Sequence, residues 1–212
     1  MEYIADLFND QKLFQRIGAW INKRSGNKLL IEFLFRASGA YLSLLRMRSL
    51  SAMCINQYLV HKHQLKILDE KIVFWSPTLI ELLNQFSPYL SSLRIMQDLI
   101  LPLYLKESGA RISSPASLAD AVDKLEKYRL DSSIKDLIKE YWKKVGKRVK
   151  QYRDIDQHYG NIVKHSFLSI MPIEKLVILL PDNPEDKKPK SFTYKKNIDA
   201  LPFFESSFNA FF

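Results

Sequence analysis

The chain has 212 residues, 47% of them apolar, with only 6 Gly and 9 Pro, enough for one domain with a sizeable core and too apolar for a disordered tail protein. The longest uncharged apolar run, Leu99 to Leu105, falls far short of the roughly 20 residues that span a bilayer, so no membrane partner is expected. Lys and Arg number 32 against 23 Asp and Glu, a net charge of +9, and such an excess favours polyanionic partners, nucleic acid above all, because each neutralised phosphate releases counterions.

Low Gly and long stretches of 3.6-residue spacing make the first 170 residues read as mainly α. The opening Met1-Glu2-Tyr3 lacks the basic, apolar and small-residue order of a secretory signal, which points to the cytoplasm. A first helix is expected over Tyr3 to Asn22, stopped near Gly26. A second begins near Asn27, with Leu30, Phe33, Leu34, Ala37, Tyr41, Leu44 and Leu45 on one stripe, and continues to about Leu68. Cys54 lies on it; a single cysteine forms neither an internal disulfide nor a Cys-rich metal site and reads as a small core residue. His61 and His63, beside Lys62 and Lys66, read as an exposed basic segment. Ile72 to Trp75 is a short extended connector.

Ser76-Pro77-Thr78 is a helix start, with Pro preset for the first turn and Thr78 three residues before Glu81. This helix should run to about Lys106. After the loop from Glu107 to Ser113, Ser114-Pro115 opens a shorter helix through Tyr128, and Asp131 caps the next. From Ser132 to about Ile170 the apolar positions Ile134, Ile138, Tyr141, Val145, Val149, Tyr152, Tyr159, Val163, Phe167 and Ile170 predict one continuous helical spine. Beyond Pro172, Leu176–Leu180 and Ser191–Ile198 flank a breaker-rich turn and predict a small β-hairpin. The tail from Leu201 carries five Phe in twelve residues, too apolar to face water, and should dock on the helical body or on a second subunit. The expected organisation is an N-terminal helical extension (1–75), a helical bundle (76–172) and a hairpin with a Phe-rich tail (173–212).

On a helical wheel with Tyr152 at zero and about 100° per residue, Tyr152, Ile155, Tyr159, Ile162 and Val163 cluster near roughly 330°. Arg153, Gln157, Asn161, Asp154, His165 and His158 spread over roughly 100° to 240°, away from that core stripe. Asp154 and His158 are one turn apart, where a carboxylate can orient an imidazole and hold its proton. Lys139, Lys143, Lys147 and Lys150 fall at roughly 140° to 220° on the same wheel, in line with the strip. A cationic ridge leading to an Arg and a His suits metal-independent RNA cleavage: the 2′-hydroxyl loses a proton, the 5′-oxygen gains one, and a guanidinium stabilises the phosphorane. The bland reading of the same residues is a solvated, solubilising helix face. No GxxxxGK[ST] or GxGxxG loop occurs, so P-loop or Rossmann nucleotide chemistry is disfavoured.

Arg153-Asp-Ile-Asp-Gln-His158 resembles the Arg-x4-6-His motif of the HEPN superfamily, over roughly Ser76 to Ile170. The resemblance implies a helical bundle acting as a homodimeric, metal-independent endoribonuclease of toxin–antitoxin or other defence systems, with the composite site at the dimer cleft. It implies Arg153 and His158 as catalytic residues and Asp154 as the polar residue after the arginine, a position often held by Asn, and it implies no cofactor. Lys139, Lys143, Lys147, Lys150, Asn161 and His165 would then contact RNA, with an antitoxin or another protein as a further partner. The alternative is a catalytically inactive module of the same shape that binds nucleic acid, nucleotide or a protein.

Overall fold

The computed structural model describes residues 27–61, 71–72, 76–109, 115, 117–158, 162, 165–169 and 174–211. The expected first helix, His63, Lys66 and Asn161 lie outside these residues. Helix α1 spans Lys28–His61. Asn27 starts it: its Oδ1 accepts the Leu29 N–H at 3.2 Å while its amide donates to Glu107 at 2.7 Å, satisfying a free helix donor and tying the helix to a distant element. The spacing of Leu30, Ala37, Tyr41, Leu44, Met47, Cys54 and Tyr58 buries one face; Leu30, Ala37, Tyr41 and Leu44 belong to the predicted stripe, whereas Leu45, also placed on it, is exposed because it lies about 100° around the helix from Leu44. The expected stretch from Lys62 to Leu68 is outside the described residues.

After the two-residue strand β1 (Lys71–Ile72), helix α2 covers Pro77–Asn84, with Pro in its first turn. Ser76 is its cap, its Oγ accepting the Leu79 N–H at 3.1 Å. Thr78 is buried and accepts from Gln57 at 2.9 Å instead. The single helix expected to Lys106 is divided at Gln85, and α3 runs from Phe86 to Glu107. Pro88 explains the division: it lacks the N–H that would bond back one turn, and it suits the first turn of a new helix. Helix α4 is short, Leu118–Val122, capped by Ser117 rather than opened at Ser114, and a 3₁₀ turn, Leu125–Lys127, completes the segment.

The continuous spine does not form. Helix α5 (Ser132–Tyr141) passes into a π turn (Trp142–Gly146) and then into α6 (Lys147–His158). His165–Ser169 is strand β2. The periodic Phe167 lies in a strand because that segment pairs along its whole length with β3 (Lys175–Leu180), from His165 opposite Leu179 to Ser169 opposite Lys175. The antiparallel sheet has the order β1-β2-β3-β4. Its last strand, Ile198–Asp199, is much shorter than the expected Ser191–Ile198. Side chains explain the loss: Asn183 Oδ1 accepts the Thr193 N–H at 2.8 Å, and the Asp182 carboxylate accepts the Lys196 N–H at 3.0 Å, so these donors are withdrawn from the ladder.

Helix α1 packs on α3, and α3 packs on α6. The tail folds as α7 (Ala200–Asn209) and docks on the body. Phe204 lies edge-on to Phe86 and tilted on Tyr89, both at 4.8 Å, and Phe203 is edge-on to Tyr152 at 5.3 Å. One apolar cluster joins α1, α2, α6, β3 and α7 to the first half of α3; a second gathers Leu101 and Leu105 with Leu118, Ala121, Leu125 and Leu130. Among the described residues, no helix is long and apolar enough to cross a membrane.

Candidate functional site on α6

Val149, Tyr152 and Ile155 recur at three-residue steps and are fully buried, so they fix the rotation of α6 on the core. The Tyr152 hydroxyl donates to the Pro181 carbonyl at 2.8 Å, which joins the helix to the end of β3. One flank of α6 turns toward α3. Gln157 donates to Ser91 at 3.0 Å. Burial pushes the Asp156 carboxyl up from its ordinary range, opposed by a hydrogen bond from Ser87 and the charge of Arg153.

Arg153 belongs to this α3 flank rather than to an outer strip. Its side chain is 30% exposed, its Nη1 donates to Asp154 at 3.2 Å, and its Nε is buried without a hydrogen bond. Its charge reaches Asp156 and Asp98. Asp98 is itself pushed up by burial, against the pull of the Leu118 N–H and of Arg94, whose guanidinium is 2.8 Å away. The arginine therefore stands among three carboxylates.

Asp154 is bonded to the two cations beside it on α6. Its Oδ2 accepts from Lys150 at 2.6 Å and its Oδ1 from Arg153. Burial raises its carboxyl, but the hydrogen bonds and charges of these two cations outweigh that and hold it below its ordinary value. His158 is the last residue of α6 and is exposed. His165 stands in β2, off the helix on which the wheel placed it.

The lysine ridge is broken in two places. A π turn carries about one extra residue, which rotates everything before it by roughly 100° relative to everything after it. Lys139 thus reaches back to Glu126 at 3.3 Å, alongside Lys135 at 2.6 Å. Lys150 is occupied by Asp154, while Lys143 and Lys147 are exposed. The structure brings together Lys150, Arg153 and Asp154, and leaves Lys139 with the neighbouring turn.

Sequence reasoning passed over Arg94, Gln97 and Asp98. The three sit at i, i+3 and i+4 inside an otherwise apolar stretch of α3, a polar stripe that an amphipathic helix would not bury without partners. Gln97 is fully buried; its amide donates to the Tyr141 hydroxyl at 2.9 Å and to the Gly146 carbonyl at 3.1 Å, and its oxygen accepts from Arg94 at 3.3 Å. It holds the π turn. Beside that turn is a cavity of about 360 Å³ lined by Ile100, Leu118, Ile138, Val145 and Phe211, with the Glu140–Lys144 pair among its walls.

Among the described residues, no group of three or more His, Cys, Asp or Glu is placed to hold a metal ion. Comparison with known proteins returns no family model, no curated protein and no solved structure that matches the chain.

Proposed function

We propose that the protein is a HEPN-like, metal-independent endoribonuclease, a toxin or defence effector of the cytoplasm that binds RNA along the exposed side of α6. The observation that carries this reading is His158, exposed at the end of a helix whose inward face is locked, with Lys143 and Lys147 exposed before it and Arg153 partly exposed beside it. His158 would move the proton between the 2′-hydroxyl or the 5′-oxygen and solvent. The outer edge of the Arg153 guanidinium would hold the phosphate, and Lys143 and Lys147 would draw the strand in. Asp154, bonded to both Lys150 and Arg153, positions those cations.

A second reading, an inactive module of the same shape that binds nucleic acid, nucleotide or a protein, is favoured by the carboxylates around Arg153, which already satisfy much of its charge. An RNA cleavage assay in chelator separates the two. Wild type should cut, with His158→Ala and Arg153→Ala each at least about 100-fold slower. Cleavage that survives both substitutions, or none at high enzyme in wild type, would sink the nuclease reading. Salt-sensitive RNA binding without cleavage would support the inactive module.

A further inference from the structure

On the helical body much of the positive charge is answered in place. Arg46 meets Glu81, Arg48 meets Glu205, Lys144 meets Glu140 and Lys150 meets Asp154. The loop between β3 and β4 differs. Lys187, Lys188, Lys190, Lys195 and Lys196 fall within ten residues and all are exposed. None of the five has a carboxylate partner among the described residues.

The acids of the same loop are engaged within it or beside α6. The Asp182 carboxylate is buried and accepts the Lys196 N–H at 3.0 Å, and the Asp186 carboxylate accepts from Asn183. Glu185 stands on the α6 side, where its charge reaches the Tyr152 hydroxyl together with those of Arg148 and Asp182. The backbone that carries the lysines is braced. Pro184 and Pro189 open two 3₁₀ turns, the Asn183 amide donates to the Ser191 carbonyl at 3.0 Å, and Phe192 is buried in the first apolar cluster. Charges on a braced loop lose less freedom when a ligand arrives than the same charges on a flexible tail.

We propose that the β3–β4 loop binds the phosphate backbone of RNA and delivers the strand to the exposed face of α6. The side-chain set selects phosphate over a protein partner. Protein interfaces centre on aromatic anchors and are poor in lysine, whereas the two aromatic residues of this loop, Phe192 and Tyr194, pack on the core. Phosphate contacts use lysine as a point charge and carry no sequence preference. The position fits as well. The first 3₁₀ turn packs on α6, on the flank that carries Arg148, about 140° around the helix from Arg153. His158 lies on the solvent side between those two flanks, so a strand held by the loop runs onto it. The choice of RNA over DNA rests on the reading of α6 given above; the cationic loop itself does not.

Fluorescence anisotropy on the full chain tests it, with a labelled single-stranded 2′-O-methyl RNA that lacks the attacking hydroxyl and so stays intact. The triple variant Lys187→Gln/Lys188→Gln/Lys190→Gln should lower the slope of log affinity against log salt by about 2, at about 0.7 per lost phosphate, and weaken binding about 100-fold at about 0.1 M salt. These residues are exposed, so its melting should match wild type. A control, Lys124→Gln/Lys127→Gln/Arg129→Gln, removes the same charge at exposed positions around the turn that follows α4 and should bind within about threefold of wild type, because distant charges are screened. Lys187→Gly is sharper. Lys187 has left-handed backbone, φ 55°, which glycine adopts freely, so this variant should melt no lower than wild type while losing about fivefold in affinity. Wild type that binds no RNA, a loop variant with the wild-type slope, a control that loses as much as the loop variant, or binding of poly-glutamate in place of RNA each overturns the proposal. Should the loop variant lose binding while wild type cuts no RNA, the loop stands and only the nuclease reading of α6 falls.

Discussion

The two hydrophobic clusters share α3 but are closed differently. Around its first half, Phe86, Tyr89, Tyr152 and Phe204 are fully buried; Phe204 meets Phe86 and Tyr89 ring to ring, Tyr152 meets Phe203, and the Tyr89 hydroxyl donates to the Phe204 carbonyl at 2.5 Å. Around its second half the partners are short elements: a five-residue helix, a 3₁₀ turn, and α5, which buries no residue fully. The open cavity lies here. Helix α6 hangs from the first cluster and α5 from the second, so the two halves of the expected spine rest on unequal supports, and the π turn is the joint between them.

Six substitutions and one titration would break or sharpen that contrast. Phe204→Ala should cost about 3–5 kcal/mol in urea unfolding, because it opens a void among rings already locked by other contacts. Leu118→Ala, in the second cluster, should cost about 2 kcal/mol, since walls beside an existing cavity can relax into it. Equal losses at the two sites would erase the distinction. Gly146→Ala tests the joint: a Cβ there would stand 2.8 Å from Trp142 Cε3 and 2.9 Å from Tyr141 Cε1. Both rings must move, at about 1–2 kcal/mol, and the near-ultraviolet circular dichroism of Trp142 should report it.

On the α6 surface the effects shrink and acquire a sign with pH. The Asp154 carboxyl is held below its ordinary value in the folded chain, so it contributes stability above the unfolded value of about 3.9 and loses it as pH falls through the folded value. Asp154→Asn should therefore be about 0.5 kcal/mol less stable at neutral pH and converge with wild type in acid. Asp156 is raised instead. Its folded form binds a proton more readily, so wild type should gain on Asp156→Asn as pH falls toward the ordinary carboxylate range. Thermal melts from pH 3 to 7 give both slopes. His158→Ala should move stability by less than about 0.5 kcal/mol at any of these values, while deciding the cleavage assay.

How far the sequence carried the reading follows from which forces are local. Helix α1 was legible because its core stripe repeats every 3.6 residues, and the Phe-rich tail because five phenylalanines do not stay in water. Cys54 was placed correctly in the core for the same reason. The strand at His165–Ser169 was not legible: Val163, Phe167 and Ile170 fit a helical period, and what selects the strand is pairing with residues six to fourteen positions further along the chain. Nor was the environment of Arg153. A wheel shows which way a side chain leaves its helix, but not that α3 arrives on that side carrying Asp98. The approach of Asp98 to Arg153 is a product of packing and leaves no trace in the pattern of α6. For Arg153 and His158 the sequence supplied residue types and spacing, and the structure added that one turns inward and the other outward.

The π turn works as a register clutch. It advances α6 by about one residue relative to α5, so which lysines share a side with His158 is set by that single extra position rather than by the lysines themselves. Deleting Lys143 would return the segment to a regular helix and turn α5 by roughly 100°, drawing Lys139 away from Glu126 and back into line with Lys147 and Lys150. One insertion or deletion, far cheaper in sequence than several charge substitutions, could thus switch a surface between a continuous cationic track and a divided one.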